Sequence, residues 1–238
     1  MTDFRPKFGS IRKDRIEDPE DRRYFVYRVF IQFIVYTVLA FIQWLCLLAI
    51  TRHICEGVIL SNESALIVLF FMGLLFFLVF AVSPQLRHRV CANWLVTFVV
   101  VEAQVLAIGL LSVRSDYLLM LIGFVFVLVI MIVVLIVVIF LPFDLTNYGT
   151  LLFMYSLCVF VFCVYCIMFT VVLLVRWPFY LFIFGQVCLV VPIMAYHEQT
   201  ILGKGEVRSS LHDDKFCALL LFHDFLALFL PTFFWYYW

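Results

Sequence analysis

Seven apolar runs, each roughly 20 residues long, limit what this chain can fold into. They cover residues 25–50, 65–82, 94–113, 117–141, 149–175, 179–196 and 216–238. A helix rising about 1.5 Å per residue needs roughly 20 such residues to cross the hydrocarbon of a bilayer. The runs are solid rather than alternating, so they do not describe a membrane barrel, whose strands face lipid and lumen in turn. In lipid, every backbone polar group must find its partner inside the segment, and the helix does this. The expectation is an all-α membrane protein, a seven-transmembrane-helix bundle, with 1–24 as a polar tail and 25–238 as the transmembrane domain. Composition agrees: 66% of the residues are hydrophobic and 13% charged, a balance no soluble domain can bury. A formal net charge of zero gives no reason to expect a nucleic-acid partner; the partner that composition implies is the lipid bilayer.

The breaks between runs carry their own chemistry. Ser83-Pro84 stops span 2, Pro142 ends span 4, and Arg176-Trp177-Pro178 opens span 6, where proline suits a first helical turn. Span 5 has a candidate break near Thr170, and span 7 is long enough to cross or to dip in and return. The tail has no apolar core and is no cleavable signal peptide, so span 1 is expected to act as an uncleaved signal anchor. Lys and Arg set the orientation. Thirteen lie on one side: Arg5, Lys7, Arg12, Lys13, Arg15, Arg22, Arg23 and Arg28, then Arg87 and Arg89, then Lys204, Arg208 and Lys215. Three lie on the other: Arg52, Arg114 and Arg176. The N-terminus is therefore expected in the cytosol, with Trp235, Tyr236, Tyr237 and Trp238 as an aromatic anchor at the opposite face. Asn62-Glu63-Ser64 is a glycosylation sequon on the non-cytosolic side, expected to stay unmodified because it abuts span 2.

Most of the eight cysteines lie in apolar runs, as small hydrophobes. Cys163 and Cys166 form a C-x-x-C inside span 5 without a second pair, which weighs against a metal or redox role. No Gly-rich phosphate loop, H-E-x-x-H or serine nucleophile with partners is present, so no enzyme and no cofactor are expected. Seven spans suggest a receptor, but a cytosolic N-terminus and very short loops argue against the G-protein-coupled arrangement.

Ionisable residues inside a membrane are functional candidates by default. Gln32 and Gln43 in span 1 read as interhelical glue. Glu102 lies well inside span 3, and Gln104 is too far round that helix to be its neighbour. Asp224 is the strongest signal, about 12 Å into span 7 at 1.5 Å per residue. His223 points about 100° away from it and reads as a packing histidine. His197, at the end of span 6, can reach Asp224 if spans 6 and 7 pair antiparallel, which would make the two proton-sensitive.

These residues resemble the transmembrane Bax-inhibitor-motif family, in particular its lifeguard branch. The resemblance runs through Val26-Tyr27-Arg28-Val29-Phe30 and Gln32; Ser83-Pro84, Arg87-His88-Arg89 and Asn93; Thr97 and Glu102-Ala103; Phe143-Asp144-Leu145-Thr146 with Gly149 and Leu151-Leu152-Phe153; Tyr196 to Gln199 with Leu202-Gly203; and Ala218-Leu219, Phe222, Asp224 and Leu228-Phe229-Leu230. It implies a pH-sensitive calcium leak in endoplasmic reticulum or Golgi membranes and suppression of apoptosis, with calcium as the transported ion. It implies a proton-sensing pair on helices 6 and 7, here His197 and Asp224, and a basic latch near the end of helix 2, here Arg87 or Arg89. The chain departs from the family at the first aspartate, where His197 stands, followed by Glu198 where threonine is usual. Two close carboxylates share a proton; a His–Asp pair instead favours imidazolium beside carboxylate and carries no net charge. Glu198 is a candidate accessory carboxylate that restores a charge, although it projects about 100° from His197; Glu102 is a second candidate accessory carboxylate. The competing expectation is a non-conducting paralogue that regulates cell death through contacts with other membrane proteins.

Overall fold

The structure, a computed structural model, describes residues 18–54, 63–111 and 116–234, with side chains for 18–50, 64–110 and 116–232. Arg5, Lys7, Arg12, Lys13 and Arg15 of the tail, Cys55, Asn62 of the sequon, Arg114, and the anchor Trp235 to Trp238 lie outside the described residues, as do the side chains of Arg52 and Glu63. The spans are α1 (Pro19–Ile54), α2 (Glu63–Val82), α3 (Val90–Leu111), α4 (Tyr117–Phe140), α5 (Gly149–Leu173), α6 (Trp177–Leu202) and α7 (Asp214–Phe234). All seven are long and apolar enough to cross a membrane, so the protein is a multi-pass membrane protein. A short helix, Pro84–His88, joins α2 to α3, and a 3₁₀ turn, Leu145–Tyr148, precedes α5.

Two helices exceed their apolar runs. α1 begins at Pro19 rather than at Phe25, because Asp18 accepts the Glu20 amide at 3.0 Å and starts the helix ahead of the hydrocarbon. The last part of the expected tail is therefore helical. α6 continues beyond Tyr196 to Leu202, where Gly203 ends it at φ +70°, the left-handed region that suits glycine. α5 does not break near Thr170, whose hydroxyl donates back to Cys166 O at 2.8 Å inside a continuous helix.

α7 is the hub, contacted by α1, α3, α4 and α6, while α2 lies outside α3 and α5 outside α6. In its most apolar stretch 61% of residues are buried, against 11% for α2 and 17% for α5. An aromatic column fills the centre. Trp44 stacks on Phe229 at 5.0 Å and donates its indole N–H to Val105 O at 2.8 Å, and Phe124 meets Phe225 edge-on at 5.5 Å. On α4, Met120, Phe124, Val127, Met131, Val134 and Val138 recur at three- and four-residue steps, so one stripe faces the bundle and the rest faces lipid.

Two spans contain proline in their interior, and both cases are resolved the same way. Pro192 has no N–H to offer Cys188 O, and Pro231 none to offer Ala227 O. In hydrocarbon such a carbonyl needs another donor. Tyr155 of α5 donates its hydroxyl to Cys188 O at 3.0 Å. Gln186 of α6 donates Nε2 to Ala227 O at 3.3 Å. Each proline thereby binds its helix to a neighbour.

Candidate functional site

One end of the bundle is polar and cross-tied. It gathers the start of α1, the 83–89 connection, the 141–148 connection and the loop from Gly203 to Asp213. Asp214 opens α7, where a carboxylate complements the helix dipole. It accepts Gln32 Nε2 at 3.0 Å and lies 3.6 Å from Arg28 and 3.7 Å from Lys215. Gln199 clamps the next connection through both ends of its amide: Oε1 accepts the Leu145 amide and Nε2 donates to Phe143 O, each at 2.8 Å. Asp144 caps the 3₁₀ turn by accepting the Thr146 amide and hydroxyl, then accepts the Glu206 amide at 2.9 Å. Thr146 Oγ1 takes the Val207 amide at 3.2 Å. The Thr146 hydroxyl, with the Thr146 and Glu206 amides, holds the Asp144 carboxyl below the usual carboxylate range. Gly205 is required here, since a Cβ would lie 2.3 Å from Thr146 Oγ1. Lys204 donates to Ile139 O at the end of α4.

This frame fixes the end of α6 against α7, and just inside it sits the titratable pair. His197 Nδ1 lies 2.8 Å from Asp224 Oδ2. Since a carboxylate only accepts, Nδ1 carries the proton. Asp224 is 6% exposed. Glu198, 1% exposed, lies within range of the Asp224 charge, and its Oε2 has no hydrogen-bond partner among the described residues. Such an oxygen is costly in an interior unless a proton or a cation meets it. Thr200 donates its hydroxyl to His197 O at 2.7 Å, holding the same turn.

The other candidates fall elsewhere. His223 turns away from Asp224 into a packed setting. Nδ1 donates to Leu219 O at 2.7 Å, Nε2 is 2.8 Å from Gln104 Nε2, and the ring stacks on Phe77 at 3.9 Å. Its proton is thus on Nδ1, and Nε2 accepts from Gln104. Gln104 and Glu102 face different helices, for Glu102 accepts Gln43 Nε2 of α1 at 3.0 Å. Gln32 and Gln43 do bridge helices, each to a carboxylate. The latch needs correction. Arg87 donates to Asp213 Oδ2 at 3.1 Å and lies over the Phe216 ring at 4.8 Å, while Arg89 is exposed. Neither touches His197 or Asp224, because the 83–89 connection packs over the start of α7 and meets the carboxylate there first. Cys163 and Cys166 are buried free thiols.

Sequence reasoning did not single out Asp213 or Gln186, and Gln199 entered only within the Tyr196 to Gln199 stretch of a resemblance. Asp144 and Thr146 entered only as part of a resemblance, although Asp-x-Thr ahead of a helix is a capping pattern that gives them a physical role. Gln186 was recoverable from Pro231, whose orphaned carbonyl demands a donor. No protein-family model, curated protein or solved structure matches the chain.

Proposed function

We propose that the protein is a pH-sensitive, calcium-leak, channel-like protein of the lifeguard type within the transmembrane Bax-inhibitor-motif family. It modulates organelle calcium from an endoplasmic reticulum or Golgi membrane and suppresses apoptosis, with no enzymatic step. The single observation that carries this reading is the 2.8 Å contact of His197 with Asp224, on the helices and at the positions where the resemblance has its proton-sensing acids. The polar, cross-tied end that holds the pair is the end carrying most of the Lys and Arg, which supports its placement in the cytosol.

The chemistry follows from the groups present. A proton delivered to Asp224 removes the charge that holds His197, weakening the tie between the end of α6 and α7. A proton delivered to His197 tightens the contact into an ion pair. Glu198 and His223 are the other titratable groups close enough to sense these changes. The buried Glu198 carboxyl is held neutral by its surroundings, and its unpartnered oxygen is the place where a cation can take over from the proton. Calcium flux from vesicles reconstituted with the full chain, measured across pH, tests the reading. Flux is expected to vary with pH, to lose that variation in Asp224→Asn and to increase in His197→Asp; flux indifferent to pH and to Asp224→Asn overturns it.

A second reading is supported by one specific observation. A protonated His197 offsets the charge of Asp224, so the pair by itself offers a cation no unpaired charge. On this reading the protein regulates cell death without conduction, through helix contacts with death-regulating membrane proteins. It predicts no measurable flux and cell protection that persists in Asp224→Asn.

A further inference from the structure

Away from the His197–Asp224 pair, α4, α6 and α7 enclose a cavity of about 330 Å³. Its origin lies in the proline of α7. Pro231 takes an N–H out of the helix, Gln186 reaches across from α6 to serve Ala227 O, and both Pro231 and Gln186 line the space left between the helices. Gly123 shapes one edge, because a Cβ there would lie 2.5 Å from Thr232 Oγ1. The two polar side chains on the wall already donate to carbonyls, Gln186 to Ala227 O and Thr232 to Phe229 O. The remaining lining is hydrocarbon.

The shape is a slot. Its α4 wall runs from Leu119 to Ile130, a rise of about 16 Å at 1.5 Å per residue. The slot starts near the beginning of α4, at the membrane face opposite the Gly203–Asp213 loop. Ile122 and Phe126 line it and are 57% and 59% exposed, so it opens sideways to whatever surrounds the bundle. Val127, 1% exposed, and Leu228, 6% exposed, close the back of the space, while the half-buried Ile130 and Ile183 present surface to it. An apolar space of this kind does not hold water. Left empty, its walls forfeit dispersion contacts. The medium at its mouth is acyl chain, and its longest wall, on α4, runs along the helix axis, the direction of a chain in a bilayer.

We propose that this slot is a lipid site holding one acyl chain of a membrane phospholipid, whose headgroup lies at the face where α4 begins. The experiment uses the full chain in phosphatidylcholine vesicles containing a trace of phospholipid with a diazirine on one acyl chain. After photolysis, adducts are mapped by peptide mass spectrometry. The expected result is labelling of the lining residues Ile130 and Ile183 several-fold above half-buried residues elsewhere, such as Leu128 and Val191. Val187→Trp, which places an indole in the slot, is expected to lower these adducts several-fold. Val125→Trp, on the exposed outer face of α4, is expected to leave them unchanged. Adducts confined to exposed residues outside the lining, such as Val129 and Phe153, overturn the proposal through the wild-type protein alone. Labelling of Ile130 and Ile183 that ignores Val187→Trp in a folded variant overturns it too.

Discussion

His197 and His223 are both partly buried histidines, one beside the central helix and one on it, yet their surroundings give them different work. His223 is satisfied by neutral groups on every side: a carbonyl at Nδ1, an amide at Nε2 and the Phe77 face beneath the ring. A second proton on His223 would meet an N–H of Gln104, and the amide would have to turn over to accept it. His197 meets a carboxylate, and an added proton strengthens that contact instead of opposing it. The contrast comes from one residue of helical rotation, which sends His223 toward α3 and Asp224 toward α6. A histidine in a membrane becomes a proton-responsive element through the partner of its ring nitrogen, more than through its depth.

Substitutions can break this contrast, and the largest effect is expected at Asp224. Asp224→Ala leaves His197 without its partner in the interior, and loss of one member of a buried pair costs about 3–5 kcal/mol. Denaturant unfolding in detergent micelles measures it, and a loss no larger than that of an exposed pair would show that Asp224 does not hold α6. His223→Phe keeps a ring on Phe77 but strands the Gln104 amide, at a cost of about 1–3 kcal/mol by the same assay. If the two histidines differ as described, His223→Phe preserves the pH profile of calcium flux while His197→Phe removes it. Equal effects of the two variants on that profile would erase the distinction.

Smaller effects are expected in the frame around the pair. Gly203→Ala forces a side chain into a left-handed backbone at the end of α6, costing about 1–2 kcal/mol. It is expected to shift the pH profile through His197 while leaving the Gln104–His223 contact intact, which histidine NMR shifts would report. The smallest effect is at Asp144. Its carboxyl is held below the usual range by the Thr146 hydroxyl and nearby amides, so its contribution is present above the ordinary aspartate value, near pH 4. That contribution is lost as pH falls through the lowered value. Asp144→Asn is expected to flatten this acid limb of the thermal stability curve; an unchanged limb would show that the cap does not stabilise the fold.

The architecture was legible because lipid allows so few alternatives. A solid apolar run in a bilayer must be a helix, and the seven runs became seven helices with only their ends displaced. The ends moved where polar residues found partners outside hydrocarbon: Asp18 started α1 early, and the turn from His197 to Ile201 kept α6 helical to Leu202. The glutamines of span 1 were legible as bridges because an amide in a membrane has no water to turn to, but their carboxylate partners were not. The latch was misplaced because a basic residue in a connection pairs with whichever carboxylate the loops bring nearest, and loop packing leaves no periodic trace.

From residue order alone come the helical spans, the depth of Asp224 and the divergence of His223 from it, since all three depend on local geometry and the intolerance of lipid for unpaired polar groups. The pairing of His197 with Asp224, the orphaned Glu198 oxygen, the engagement of Arg87 by Asp213 and the slot beside Pro231 depend on which helix faces which. Lipid drives each span to become a helix but is nearly indifferent to which neighbour it chooses. That choice comes from the fit of Trp44, Phe124 and Phe229 around α7 and from the hydrogen bonds that close the polar end.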